Sequence, residues 1–511
     1  HLRFPTLCRG FDSRYPHHNL LQYRTMTSLN SNKVYECRGL GKPMQSVTAK
    51  SLLLVTVLFS ASMSGCFGED SDDTEYRVAG FQIDFTDAED AILRGGEWHS
   101  FFLVGKGRSI SVPNNVMMFI DDIVVPNGFI TVENEQINGK LLPIPYADEV
   151  RITIVEANGK GKSFEYVVTE GEPIVSGSDW FDKMDFITSV CSDSTECGGY
   201  INRWMGSPNP AFERAASFFH GHFEGLGYET HLMRVTDTFS LTQPESLNVI
   251  AWKRGYDDSC VQGIGAHMDV APPAGPPGGG TYEGAYDNTA GTVAVMLYAK
   301  ALLDIEVRCD TFLALWSSEE AGLRGSNAFA TNDCDYCLPQ DKELRFYINM
   351  DMMGISYPAK KSNGDYFPYH AWSGPDVDPE VQDVAITTIL DYVHRDILEA
   401  PMDLRIEGSY GAGCDQHWDD HYNLVMDVHE DTFGRSDHVT FRNLGAQTIF
   451  HLGAYDEDYS AYHSPTDTFD NMIAEVGGPD ELKQSIQYVL WAAFLEFILA
   501  DQTPEVRNVN V

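Results

Sequence analysis

The sequence predicts an α/β fold: a mixed, mostly parallel sheet with helices on both faces, preceded by a small β-sandwich-like domain. Three observations predict it. From 77 to 176, short strand-like runs recur with turn residues between them. From 177 to 502, strand runs alternate with helical periodicity, as when parallel strands are joined by covering helices. The chain has 511 residues, 43% of them hydrophobic and 12% aromatic, which is ample for sizeable cores and excludes global disorder.

In the first of these regions strands are predicted at 101–104, 116–120, 129–132, 151–155 and 164–168. Asn158-Gly159 is a hairpin turn signal ahead of the last. Gly161-Lys162-Ser163 looks like the tail of a phosphate-binding loop, but Glu156 stands where its first glycine is needed, so the hairpin reading holds. In the second region an amphipathic helix is predicted at 211–226, then a buried strand at 262–266 and a helix at 292–303. Strands follow at 311–316 and 345–349, a helix at 379–398, a strand at 447–452 and a closing helix at 481–499. Residues 503–511 read as a tail.

Charge divides the chain differently. The whole carries 35 Lys+Arg against 75 Asp+Glu, a net of −40, which excludes nucleic acid as the main partner and disfavours docking on anionic lipid through basic patches. Residues 1–66, however, hold 8 Lys+Arg and 2 Asp+Glu, leaving 27 and 73 for the rest. A basic start before an acidic body reads as a targeting segment. Lys50 precedes an apolar run from Ser51 that is too short to span a bilayer but fits a signal-peptide core. Met63-Ser64-Gly65-Cys66 resembles a bacterial lipobox, in which Cys66 would be the lipidated first residue of the mature protein. Since Met44 stands where such a signal begins, 44–66 is read as the signal peptide and 1–43 as spurious or untranslated leader. Residues 67–76 are an acidic, apolar-poor tether. The expected location is the outer face of the cell membrane, lipid-anchored, or the medium.

Export permits disulfides. Cys191 and Cys197 are close in sequence, as are Cys334 and Cys337, while Cys260 and Cys309 each stand just before a predicted strand and can face one another. Connectivity stays open at this level. Cys414 is left over, and the single Cys-x-x-Cys lacks the second pair a zinc ribbon needs.

In open α/β sheets, ligands bind at the carboxyl ends of the strands. His267-Met268-Asp269 ends one predicted strand, Glu319 and Glu320 follow another, and Asp351 ends a third. Tyr462-His463 follows a later strand, and Asp287 lies in a loop opening a helix. One strand-end Asp is usually a turn or cap residue; five metal-ligating residues at one sheet edge are hard to explain as caps.

These segments resemble the co-catalytic di-zinc exopeptidases, family twenty-eight of the metallopeptidases, which includes secreted bacterial leucyl aminopeptidases, glutamate carboxypeptidase and glutaminyl cyclase relatives. The resemblance covers roughly 178–500. Its blocks stand in the family's order: Gly265-Ala266-His267-Met268-Asp269, Asp287-Asn288-Thr289-Ala290-Gly291, Glu319-Glu320-Ala321-Gly322, Asn349-Met350-Asp351, Ser436-Asp437-His438 and Tyr462-His463. Gly206-Ser207-Pro208 and Gly225-Leu226-Gly227 lead into them. The resemblance implies a zinc-exopeptidase fold and two Zn²⁺ per chain. His267 and Asp351 would hold one ion, Glu320 and His463 the other, and Asp287 both. Glu319 would be the general base, and Asp269 would orient His267. It also implies a cis Asp287–Asn288 peptide, a substrate-pocket place for Met352 and a substrate contact for Tyr462. Three carboxylates and a bridging hydroxide balance two Zn²⁺, and imidazole with carboxylate is an ordinary zinc donor set.

The implied activity is a zinc-dependent exopeptidase acting on peptides, an aminopeptidase in the first instance, as a monomer touching the membrane only through its lipid anchor. A carboxypeptidase or dipeptidase would need a basic clamp, for which Arg435 is the visible candidate; Arg435 in a surface ion pair is the alternative. A cyclase-type acyltransferase and a silent binding module are further alternatives, and the complete ligand set with Glu319 speaks against the last. No Gly-x-Ser-x-Gly elbow occurs. The His- and Asp-rich stretch 414–431 is read as a polar insertion near the cleft mouth, with a further metal site as its alternative. The Pro- and Gly-rich stretch 272–280 is read as a lip above the site.

Overall fold

The computed structural model describes residues 82–86, 92–104, 109–112, 115–120, 123–133, 136–143, 149–155, 161–192, 196–204, 209–236, 245–271, 282–373, 403–409, 426–430, 435–454, 458–501 and 507–510. The leader, the signal segment with Cys66, the acidic tether, the 206–208 lead-in, the 272–280 lip, the helix predicted at 379–398 and Cys414 lie outside the described residues. Of the 414–431 stretch, only 426–430 is described.

The N-terminal strands are β1 (Gln82–Phe85), β2 (Leu93–Arg94), β3 (His99–Val104), β4 (Ser109–Val112), β5 (Asn115–Ile120), β6 (Ile123–Glu133), β7 (Gln136–Leu141), β8 (Glu149–Val155) and β9 (Gly161–Thr169). Eight of them form one sheet in the order β1-β3-β7-β6-β5-β8-β9-β2. Gly161 opens β9 and pairs with Val155, so the Gly-Lys-Ser stretch belongs to an antiparallel hairpin. The ninth, β4, pairs antiparallel with a strand at Arg507–Asn510, where the sequence predicts only a tail. An edge strand offers unpaired N–H and C=O groups to any extended segment that reaches it, and no local pattern announces such a partner.

The larger part begins with α1 (Gly177–Thr188) and α2 (Pro210–Gly225). Each is capped from its own sequence: Ser176 accepts the Asp179 N–H, and Asn209 accepts from Ala211 and Phe212 with Pro210 in the first turn. There follow β10 (Glu229–Thr236), β11 (Glu245–Lys253), β12 (Asp257–His267), α3 (Ala290–Ala301), β13 (Cys309–Trp316), α4 (Arg324–Thr331) and β14 (Glu343–Met350). Then come β15 (Tyr369–Ser373), β16 (Asp403–Ser409), β17 (Met426–Glu430), α5 (His438–Arg442), β18 (Gln447–Leu452), α6 (Phe469–Val476), α7 (Pro479–Asp501) and β19 (Arg507–Asn510).

Nine strands make one mixed sheet, β10-β11-β13-β12-β14-β18-β15-β17-β16. Its centre is parallel: β13, β12, β14 and β18 run the same way. Antiparallel neighbours close one side through β10 and β11, and β15 opposes β18 on the other. Burial explains the patterns. Every residue of β13 and all of β12 from Cys260 are buried, as expected where both faces are covered.

Side chains alternate between the two faces. Leu313 and Leu315 join a core with α3 and the apolar run of α7, whereas Phe312, Ala314 and Trp316 face α4 and α5. On that second face Phe312, Trp316, Phe329, Tyr347 and Phe441 form an aromatic layer, the Tyr347 and Phe441 rings 4.0 Å apart. The polar ends meet inside it, Trp316 donating to the Tyr347 hydroxyl at 2.7 Å.

Three disulfides join Cys191 to Cys197, Cys260 to Cys309 and Cys334 to Cys337. The second ties the starts of the paired strands β12 and β13. Among the described residues no helix is long and apolar enough to cross a membrane.

Gly291 shows how closely α3 meets the sheet. A Cβ there would lie 2.3 Å from the Met350 carbonyl oxygen and 2.5 Å from Asn288 Oδ1. Gly→Ala inside a helix ordinarily stabilises. Here the backbone of β14 cannot yield, so Gly291→Ala should destabilise the protein by roughly 1–3 kcal/mol. A melting temperature at or above that of the unaltered protein would contradict this packing.

Candidate metal centre

The carboxyl ends of β12, β13 and β14 deliver His267, the Glu319-Glu320 turn and Asp351 to one edge of the sheet. The turn after Trp316 is braced from β11. Asn248 Oδ1 accepts the Ser317 N–H at 2.9 Å, and the Ser246 hydroxyl lies 2.6 Å from that of Ser318. Ser318 takes φ 59° and Gly322 φ 99°, so the chain reverses sharply; the Leu323 N–H closes the turn on the Glu319 carbonyl. Asp287 enters from the start of α3. It and Asn288 leave helical geometry (φ −119°, ψ 90° and φ −140°, ψ 54°), and the peptide between them is cis. Asn288 pins this turn by donating to the Met350 carbonyl at 2.9 Å and accepting the Gly291 N–H at 2.8 Å. His463, with φ 53°, comes from the loop between β18 and α6.

Two trios of donors result among the described residues, His267–Asp287–Asp351 and Asp287–Glu320–His463, the ligand atoms within each lying within 4.8 Å of one another. They share Asp287 through different oxygens. Its Oδ1 is 3.1 Å from His267 Nε2, and its Oδ2 is 3.0 Å from His463 Nε2. His267 Nε2 is also 3.2 Å from Asp351 Oδ1, and His463 Nε2 is 3.1 Å from Glu320 Oε2. Donors about 2.0–2.1 Å from a tetrahedral zinc ion stand roughly 3.3 Å apart, so both trios have the spacing of zinc ligands. The exposed fraction is 1% for the His267 side chain, 5% for Asp287 and 7% for Glu320.

The supporting contacts divide as follows. His267 Nδ1 faces the Asp269 backbone carbonyl at 3.1 Å, with the Asp269 carboxylate at 3.6 Å. A proton on Nδ1 directed at that carbonyl turns the Nε2 lone pair toward two carboxylates, an arrangement that calls for a cation between them. The Asp269 carboxylate makes its shorter contacts elsewhere, accepting the N–H of Glu319 at 3.1 Å and of Glu320 at 3.4 Å. It therefore sets the Glu319-Glu320 turn as well as facing His267. Ser436 donates to Asp351 Oδ2 at 2.8 Å and is itself held by Asn349 at 2.8 Å.

Electrostatics point the same way. Burial pushes the Glu319 carboxyl well above its ordinary pKa; His267 opposes this, while Glu320, Asp437 and Asp351 add to it. Burial, then Asp287, raise Glu320 to about 7 against the pull of His463. Burial disfavours protonated His463, yet Glu320 and Asp287 outweigh it and raise the imidazole to about 11. Buried Asp287 is nevertheless held well below the carboxylate range by His267 and His463. This is an acidic cluster that recruits positive charge at both imidazole positions, and Glu320 Oε1 has no hydrogen-bond partner. The residues fit two divalent cations of zinc's type.

The remaining predicted site residues fall around this centre. The Tyr462 ring stacks on His463 with centroids 3.7 Å apart. Met352, with φ 49°, is 1% exposed and packs in the main core beneath the site. The Arg435 guanidinium lies over the Trp372 ring at 5.4 Å. Two buried charged residues escape sequence reasoning. Arg203 donates to the Met268 carbonyl at 2.7 Å and to Thr289 at 2.5 Å, bridging the His267 and Asp287 segments. Asp467 accepts the backbone N–H groups of Tyr286 and Asp287. Nothing in local sequence marks a lone Arg or Asp as buried; only the fold brings these to the centre.

The family model of peptidase family M28 matches residues 248–392, a stretch holding His267, Asp269, Asp287, Glu319, Glu320 and Asp351 and ending before His463. Leucine aminopeptidase 2 of Trichophyton rubrum is 34% identical over 139 residues, 26% of this chain and 25% of that protein. A probable leucine aminopeptidase 2 of Aspergillus fumigatus is 32% identical over 119 residues, covering 23% and 22%. The chain thus matches about a quarter of the length of these curated relatives. Among solved structures, the LapA aminopeptidase of Legionella pneumophila aligns with a TM-score of 0.43 at 16% identity, over 65% of this chain and 73% of that one. A zinc aminopeptidase from Bacillus subtilis aligns with a TM-score of 0.42 at 13% identity, over 62% and 94%. A glutaminyl cyclase of Bacteroides thetaiotaomicron bound to N-acetylhistamine aligns with a TM-score of 0.41 at 16% identity, over 62% and 97%.

Proposed function

We propose that this chain, with its match to peptidase family M28 over residues 248–392, is a zinc-dependent aminopeptidase that removes residues from peptide N-termini. The observation that carries the reading is the pair of His–carboxylate trios sharing Asp287, with Glu319 beside them as a carboxyl outside both. His267 and Asp351 would hold one zinc ion, Glu320 and His463 the second, and Asp287 would serve both. Zinc at these positions supplies Lewis-acid polarisation of the scissile carbonyl and a water acidic enough to ionise near neutral pH.

The chain's own residues do the rest. Glu319, its backbone fixed by Asp269, takes the proton of the attacking water and returns it to the leaving amine. In this reading Tyr462, stacked on His463, contacts the substrate, and Met352, buried directly after Asp351, backs the pocket from beneath. The three disulfides accord with an oxidising compartment, which supports export, and the lipobox-like Met63-Ser64-Gly65-Cys66 supports a lipid anchor at Cys66. The protein acts as a monomer in this reading.

The test measures bound zinc together with amino-acid release from free and N-acetylated peptides. Two zinc ions per chain, with cleavage only when the α-amine is free, is the expected result. Cleavage of blocked peptides from their C-terminus would replace the aminopeptidase with a carboxypeptidase. Two zinc ions without any hydrolysis would remove the reaction and leave the ligands.

Ser436 gives a further expectation. Ser436→Ala deletes the hydroxyl bonded to Asp351 and leaves every ligand in place. Zinc affinity should weaken about 10–100-fold at the His267–Asp351 position, as outer-shell losses typically do. An unchanged zinc titration would show that Asp351 is oriented without it.

A further inference from the structure

We propose that Asp467 is the positioning residue for one half of the centre: its carboxylate ties the Asp287 backbone to the loop carrying His463, so both ligands are set before metal arrives. This rests on the reading of Asp287 and His463 as zinc ligands. Asp467 lies four residues after His463, directly before the capping Thr468 of α6, and is 2% exposed. Its Oδ1 accepts the Tyr286 N–H at 2.9 Å and the Tyr459 hydroxyl at 3.0 Å, and its Oδ2 accepts the Asp287 N–H at 3.0 Å.

The two loops are stitched at further points. The Ala285 N–H reaches the Asp467 carbonyl at 3.2 Å, and the Phe469 N–H reaches Glu283 Oε2 at 2.8 Å. The Tyr286 hydroxyl donates to the Ala454 carbonyl at 2.7 Å, and its ring packs edge-on to Tyr459 with centroids 5.0 Å apart. Two loops, the one around 285 and the β18–α6 loop through its stretches at 459 and 465, therefore converge on one buried carboxylate.

The chemistry requires an acid there. The N–H groups of Tyr286 and Asp287 precede any helical acceptor, since the backbone at Asp287 and Asn288 is not helical. Left unsatisfied in a buried site, each would cost a hydrogen bond's desolvation. Three donors approach from both oxygens of Asp467. An asparagine offers one acceptor oxygen, so it can serve Tyr286 and Tyr459 only by turning its amide N–H against that of Asp287. The acceptor-only carboxylate fixes the one ligand that both ions share and, through four residues of chain, the loop geometry at His463.

The test titrates zinc into the metal-free full chain and into Asp467→Asn, following each binding step by calorimetry, with amide hydrogen exchange on the unaltered protein. In Asp467→Asn both zinc ions should bind more weakly, since Asp287 serves both, and the His463-side ion should lose about tenfold more affinity than the other. In the metal-free unaltered protein the Tyr286 and Asp287 amides should already be protected. Unchanged affinities in the variant, equal weakening at both positions, or rapid exchange of those amides without metal would each overturn the inference. If the variant does not fold, the exchange measurement alone decides. An unaltered protein that fails to bind two zinc ions would instead sink the ligand assignment on which the inference stands.

Discussion

Glu319→Gln should lower kcat by roughly 10²–10⁴-fold while both zinc ions remain bound. That corresponds to about 3–5 kcal/mol of transition-state stabilisation. The substitution is nearly isosteric, and the backbone N–H of residue 319 still reaches Asp269. It removes one property, the capacity to accept a proton. Stability should move the other way. Burial, with Glu320, Asp437 and Asp351 around it, holds the Glu319 carboxyl above its ordinary pKa despite His267. For an acid with a raised folded-state pKa, the stabilisation present at low pH is lost as pH rises through that value. Glutamine cannot ionise and escapes this loss. The metal-free variant should therefore melt at or above the unaltered protein at neutral pH, a trade of stability for activity common at active sites. Undiminished peptide cleavage with normal zinc content would remove Glu319 from the reaction.

Asp287→Ala should have the broadest effect. Both trios lose their common member, so zinc content should fall at both positions and cleavage should drop below detection. Metal-free stability should fall too, because buried His267 loses a carboxylate at 3.1 Å and partly exposed His463 loses one at 3.0 Å. Breaking a buried ion pair by deleting one partner costs about 3–5 kcal/mol. The contrast with Glu319→Gln is diagnostic: one variant keeps metal and stability and loses chemistry, the other loses all three. Zinc analysis and urea denaturation measure it. One zinc retained at normal affinity in Asp287→Ala would show that Asp287 serves a single ion.

The sequence by itself determined the strands that matter most. The run at 447–452 is β18, and those at 262–266 and 311–316 fall within β12 and β13, because strands buried on both faces must be continuously apolar. The helices predicted at 211–226 and 481–499 match α2 and α7 within two residues, since their apolar patterns, and the Asn209 cap of α2, are local. Following the rule that sites gather at the carboxyl ends of such strands, the sequence also brought His267, Asp287, Glu319, Glu320, Asp351 and His463 into view.

Tertiary structure decided what local pattern cannot carry. The pairing of β19 with β4 and the antiparallel flank of β10 and β11 depend on partners distant in sequence. So does the sharing of the Asp269 carboxylate between the Glu319-Glu320 turn and His267, a geometry set by where two loops meet. Asp467 and Arg203 are the clearest cases. A single charged residue in a loop reads as solvated until the fold closes over it, and only then do its hydrogen bonds, and the loops it holds, become defined.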